Sequence, residues 1–181
     1  MPILKREPDV FPESIFTMQE PWWVAHVRSR QEKFLARHLV QNGIAYYLPQ
    51  VEKRGRRSSF LPLFPGYLFF RGTDGDTSRA LRSHVIVNLL APFDQPSFHG
   101  EIHQLHDLQR TSGRLTPYPH LHAGDSVHIH EGIFAGYRGT ILRERGTERL
   151  IISISFINQS VVVDLDRDAI RPLHNEWRAE A

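Results

Sequence analysis

From Trp22 onward the apolar residues change period several times. Trp22, Trp23, Val24, Ala25, His26 and Val27 form an aromatic and β-branched run that predicts a strand. Phe34, Leu35, Leu39 and Val40 then recur at helical spacing and predict a helix with that stripe turned inward. Ser29 and Glu32 have the Ser-x-x-Glu spacing of a capping box at its start, and Gly43 ends it. Residues 44–51 read as a second strand, residues 52–59 are polar and basic, and residues 60–70 return to strand character. A short helix over 77–82, a strand over 85–90 and a last helix between Gly100 and Arg110, on Ile102, Leu105 and Leu108, complete this segment. Strands interleaved with helices, with an antiparallel hairpin around the basic loop, predict an α+β sandwich.

The pattern past residue 121 is nearly all strand. Val127 and Ile129 alternate with His128 and His130, and Ile152, Ile154 and Phe156 share a face opposite Ser153 and Ser155. Val161, Val163 and Leu165 alternate with Asp164 and Asp166, and residues 145–148 read as a turn. Several short strands in so small a span predict a closed β-barrel, which removes sheet edges. Ile133, Tyr137 and Ile141 have some helical spacing, but the β-branched residues Ile151, Ile152, Ile154, Val161, Val162 and Val163 favour the barrel. Thr111 to Leu121, with two prolines and a glycine, reads as an extended linker. The resulting division is a flexible tail over 1–20, a first domain over 21–112, a linker over 113–121, a second domain over 122–174 and a tail over 175–181.

Composition narrows the function. The chain has 181 residues and no cysteine, which excludes disulfides and thiolate zinc sites and fits a reducing cytoplasm. No apolar run approaches the roughly 18 residues of a membrane helix. Net charge is only +2, but it is unevenly placed. Residues 22–113 hold twelve Lys and Arg against seven Asp and Glu, while residues 122–174 hold six against seven. The basic first half suggests an anionic partner such as nucleic acid.

Two groups of residues carry a family resemblance. Leu63-Phe64-Pro65-Gly66-Tyr67-Leu68-Phe69 resembles the Phe-Pro-Gly-Tyr signature of the NusG N-terminal (NGN) domain. Trp22-Trp23-Val24 is similar to its opening strand, and Arg82-Ser83-His84-Val85 to the segment before its last strand. Gly124-Asp125-x-Val127 followed by Glu131-Gly132-x-Phe134-Ala135-Gly136-x-x-Gly139 resembles the KOW motif. The pairing, in that order, points to a NusG-type transcription elongation and antitermination factor: an NGN α/β sandwich followed by an SH3-like KOW barrel.

The resemblance implies a protein that binds RNA polymerase, at the clamp helices of its β′ subunit, and contacts non-template DNA, with no catalysis and no cofactor. It implies a polymerase-binding surface of Trp22, Trp23, Phe64, Pro65, Gly66 and Tyr67, since Pro65-Gly66 suits a bend that presents aromatic side chains. Lys53, Arg54, Arg56 and Arg57 at a hairpin tip, with Arg28 after the first strand, are the nucleic-acid candidates. Phe156, Ile157 and Asn158 are the candidates for a protein partner of the KOW domain. Ile157 stands where general NusG proteins carry an exposed Phe that meets Rho or the ribosomal protein NusE. This departure argues against Rho, leaves NusE as a weaker candidate, and is closer to RfaH-type specialised paralogues.

Two other classes fit less well. A KOW-containing ribosome- or RNA-binding module would not need the first domain. A metal enzyme is suggested by eleven histidines, but neither His128-x-His130 nor His103 with His106 has an evident third ligand. No nucleophile motif, phosphate loop or dinucleotide fingerprint is present.

Overall fold

The computed structural model describes residues 7–53, 59–112, 115–118, 126–128, 138–144, 147–157 and 159–165. The described part opens with a short strand, β1 (Val10–Phe11), and a 3-10 turn (Glu13–Thr17). There follow β2 (Trp22–Val27), α1 (Glu32–Gln41), β3 (Ala45–Tyr47), the hairpin β4 (Gln50–Lys53) and β5 (Ser59–Pro62), and β6 (Tyr67–Arg71). Then come α2 (Asp74–Leu81), β7 (Ile86–Leu90) and α3 (Gln95–Ser112). One antiparallel sheet runs β1-β3-β6-β2-β7, and β4 pairs with β5 in a separate two-stranded sheet. The first domain is thus the expected α+β fold.

Strand periodicity sorts the core onto two faces of that sheet. Trp22, Val24, Ala45, Tyr47 and Phe69 turn to one face and pack with Phe98, Ile102, Leu105 and Leu108 of α3. Ala25, Val27, Tyr46, Leu68 and Phe70 turn to the other and pack with Leu35, Ala36 and Leu39 of α1 and Ala80 of α2. The sheet is the middle layer, with α1 and α2 on one side and α3 on the other. The start of α2 is set by a capping box between Thr73 and Asp76. Asp94 takes the Ser97 N–H at 3.0 Å at the start of α3, and Gln95 brackets the Trp22 backbone, accepting its N–H at 2.7 Å and donating to its carbonyl at 3.0 Å.

Several local expectations are corrected. The segment expected to be a flexible tail is folded from Val10: β1 extends the sheet edge at β3, and Ile15 is fully buried. Apolar Val10, Phe11, Ile15 and Phe16 have a sheet edge and a helix face to cover, and that burial offsets the cost of ordering the chain. Ser29 does not cap α1; Gln31 occupies the N-cap without a side-chain bond, and Glu32 turns elsewhere. The buried stripe of α1 is Glu32, Leu35, Ala36 and Leu39, leaving Phe34 and Val40 exposed. The single strand expected over 44–51 is broken at Leu48, whose N–H goes to Asp9. The last helix starts at Gln95, well before Gly100, with Pro96 in the first turn where its missing N–H costs nothing.

The second domain has β8 (Thr116–Tyr118), β9 (Ser126–His128), β10 (Arg138–Glu144), β11 (Thr147–Ile154), a 3-10 turn (Ser155–Ile157) and β12 (Gln159–Leu165). They form an antiparallel sheet in the order β8-β12-β11-β10-β9. The β-branched runs are strands, as expected. Part of the supposed linker is β8, paired with β12. The two domains also share an apolar core. Ile152, Ile154, Ile157, Val161 and Val163 join the same apolar core as Phe64, Phe98, Ile102 and Leu105. Phe156 meets Phe98 edge-on at 5.8 Å. A short linker costs little entropy to close, so two apolar faces tied this closely gain by meeting.

Candidate functional site

The Phe64-Pro65-Gly66-Tyr67 segment is the turn between β5 and β6. Tyr67 donates its N–H to the Phe64 carbonyl at 3.1 Å, closing the bend. Gly66 has φ +85°, a left-handed conformation that glycine adopts without the penalty of a side chain. Both its peptide groups are held. Its N–H donates to Glu32 Oε1 at 2.7 Å, and its carbonyl accepts from Val27 N at 2.8 Å. Glu32 is only 4% exposed, so a carboxylate from the first turn of α1 is spent inside the domain on fixing this turn. Sequence reading missed that role. The available signal was a Glu one turn from an apolar stripe, and it was absorbed into a capping box.

The turn separates its aromatic residues by depth. Phe64 is buried at 2% exposure and meets Phe69 edge-on at 6.1 Å. Pro65 is exposed, and Tyr67 is half-buried. Tyr67 stacks on His26, its cross-strand partner, at 5.1 Å. The expectation of one aromatic surface of Trp22, Trp23, Phe64 and Tyr67 is therefore corrected. Trp22 and Trp23 are consecutive strand residues and point to opposite faces. Trp22 is fully buried among Phe16, Phe98 and His99, with the Arg71 guanidinium 4.9 Å from its ring. Trp23 packs on the α1 and α2 side and donates its indole N–H to the Gly72 carbonyl. What the turn leaves partly accessible is Pro65, Tyr67 and His26.

Of the basic candidates, Arg28 and Lys53 lie on separate elements. Arg28 is exposed just past β2, where its N–H donates to Val85 at 3.0 Å. Lys53 is exposed at the end of β4, so the expected hairpin is present. Arg54, Arg56 and Arg57 lie outside the described residues. In the second domain Phe156 is 39% exposed. Ile157, expected to project from a loop, is buried at 7% because the 3-10 turn directs it into the shared core. Asn158, most of the glycine motif over 131–139 and both Ile133 and Tyr137 lie outside the described residues.

No group of three or more His, Asp or Glu side chains among the described residues is arranged to hold a metal ion. No helix there is long and apolar enough to cross a membrane. The buried tyrosines Tyr46 and Tyr47 have hydroxyls pushed well above the usual range by burial, and Glu7 and Asp9 near Tyr46 add to it.

Residues 20–97, which hold this turn and most of the first sheet, match the family model described as transcription termination factor nusG. Over these residues the chain is similar to the NusG family. A solved structure of NusG from Thermotoga maritima, described by its domain interaction, matches 84% of this chain and 96% of its own length, at 19% identity and a TM-score of 0.49. NusG proteins are transcription factors, and that is the coarse role of this chain. The NusG domain is the part that holds the Glu32-pinned turn.

Proposed function

We propose that this chain binds RNA polymerase through the Pro65-Gly66-Tyr67 turn and the apolar residues beneath it, and modulates elongation, pausing and termination as an antitermination factor without catalysing a reaction. The observation that carries this reading is the turn itself. Its glycine is held at both peptide groups, in a NusG domain, with Tyr67 and His26 stacked at the surface. A rigid aromatic anchor loses little entropy on binding and suits a protein interface. The β′ clamp helices are the proposed contact, and Arg28 and Lys53 with their neighbouring arginines are proposed to meet non-template DNA. The apolar core that Phe64 and Phe98 share with the second domain implies that the two domains part before the deeper residues are reached. The second domain, whose glycine motif resembles that of a KOW domain, is proposed to recruit a protein through Phe156, with ribosomal protein NusE as candidate.

The test is capture of core RNA polymerase by the full chain and by Tyr67→Ala. Aromatic anchors cost about 2 kcal/mol or more when truncated, so at least a tenfold loss of affinity is expected with the fold intact. Equal affinity for a folded Tyr67→Ala chain refutes the assignment. Retention by ribosomes and not by polymerase would favour a ribosome-binding module instead.

A further inference from the structure

The N-terminal segment is held to the NusG domain by a set of contacts that the proposed function does not use. Arg71, at the end of β6 and 8% exposed, donates Nη1 to the carbonyls of Ile15 at 3.0 Å and Met18 at 2.5 Å. Gln109 of α3 donates to Asp9 at 3.3 Å and accepts from the Tyr47 hydroxyl. Between these ties the Phe16 ring sits against three imidazoles of α3. It stacks on His106 at 4.5 Å, meets His103 edge-on at 5.2 Å and lies 6.4 Å from His99. Residues 99, 103 and 106 are spaced to share one helix face. The imidazoles pack there as flat rings, and His99 Nδ1 also accepts the Trp22 indole N–H at 3.1 Å.

We propose that residues 10–18 form an acid-released latch, in which Phe16 is gripped by the rings of His99, His103 and His106 and is let go when that histidine face becomes charged. Among the described residues, Tyr47 of β3 meets His106 edge-on at 5.7 Å, and charged groups from three other elements surround the bracket. From β6 comes Arg71, and from α3 come Asp107, Arg110 and the three histidines themselves. The 3-10 turn contributes Glu13. The Asp107 carboxylate lies 3.2 Å from His103, and Asp107 and Glu13 favour protonation of His106. A charged imidazole over the Phe16 ring would also gain a cation–π attraction. Against these stand the loss of hydration of two half-buried rings, the repulsion of Arg71 and Arg110, and the repulsion among the histidines. The balance is toward the neutral form: burial, then Arg71 and His103, holds His99 below the ordinary 6.5, and burial, helped by Arg110 and His103, does the same for His106. A histidine lowered in the closed state stabilises closure fully above its free value. That contribution is lost as pH falls through about 6.5 toward the lowered value. The released state bares the histidine face of α3, the side of Trp22 and the Arg71 donors, beside the α3 stripe that carries the contact with the second domain.

The experiment is 19F NMR on the full chain carrying 4-fluorophenylalanine at position 16. The packed resonance present at about pH 7.5 should give way to a free-chain resonance by about pH 5.5, while the methyl signals of Leu35, Leu39 and Leu68 stay at their folded positions. The His99→Phe/His106→Phe chain keeps the ring packing and cannot take up those protons, so its packed resonance should persist. A packed resonance that survives acid in the parent chain, release at the same pH in the double variant, or collapse of the core methyls together with release each overturns the latch. A second measurement does not rely on the double variant folding. Imidazole titrations in the Phe16→Ala chain should show His99 and His106 moving up toward 6.5, and unchanged titrations would refute the coupling.

Discussion

Glu32→Ala isolates the physical basis of the candidate site. The carboxylate is 4% exposed and takes the Gly66 N–H at 2.7 Å, in a turn whose glycine is at φ +85°. A hydrogen bond to a charged group contributes about 1.5–3 kcal/mol net, more than a neutral one. Placement in the first turn of α1 adds about 0.3–1 kcal/mol from the helix N-terminus. Two effects work the other way. Removing Glu32 also removes the cost of keeping its charge out of water, and Gly66, which is half-buried, can recruit water in its place. The balance is a destabilisation of about 2 kcal/mol in Glu32→Ala. Glu32→Gln keeps an acceptor oxygen at the same reach and should lose about 1 kcal/mol or less. Urea unfolding of the full chain, followed by tryptophan fluorescence, measures both. Capture of polymerase by the folded variants shows whether the turn must be rigid, and Glu32→Ala should bind about tenfold more weakly, equivalent to 1.4 kcal/mol. An Ala variant as stable as the parent, or a Gln variant as damaged as the Ala variant, would refute the reasoning.

Two further outcomes follow from the same geometry. Gly66→Ala should cost about 1–2 kcal/mol from its left-handed backbone, since the added Cβ would meet His26 Cδ2 at an ordinary 3.5 Å and strain, not collision, sets the penalty; thermal unfolding checks it, and a Gly66→Asn chain should recover part of the loss. Replacing Lys53, Arg54, Arg56 and Arg57 with Ser should flatten the salt dependence of binding to an assembled elongation complex, because each phosphate contact releases counterions; an unchanged slope would place the hairpin away from nucleic acid.

Local chemistry was legible in the sequence wherever one period dominated a segment. β2, β7, β11 and β12 follow from β-branched and aromatic runs, and the hairpin follows from a polar loop between two such runs. The Phe64 to Tyr67 bend follows from proline and glycine side by side, because these residues restrict or free φ whatever surrounds them. The family resemblance rests on the same local residues. Tertiary structure decided which neighbours those residues have. Glu32 reads locally as half of a capping box, and only the approach of the β5–β6 turn gives it the Gly66 N–H instead. Phe34 and Leu35 are equally apolar, yet helix phase against the sheet buries Leu35 and leaves Phe34 outside. Ile157 and Phe156 exchange their expected exposures because a 3-10 turn rotates the pair by one position. The N-terminal segment is rich in proline and charge, and it folds because a sheet edge, a buried arginine and a histidine-lined helix face are brought together from residues 45 to 109. Such contacts are separated in sequence by dozens of residues, so their free energy depends on the assembled chain and leaves no periodic trace in the segment itself.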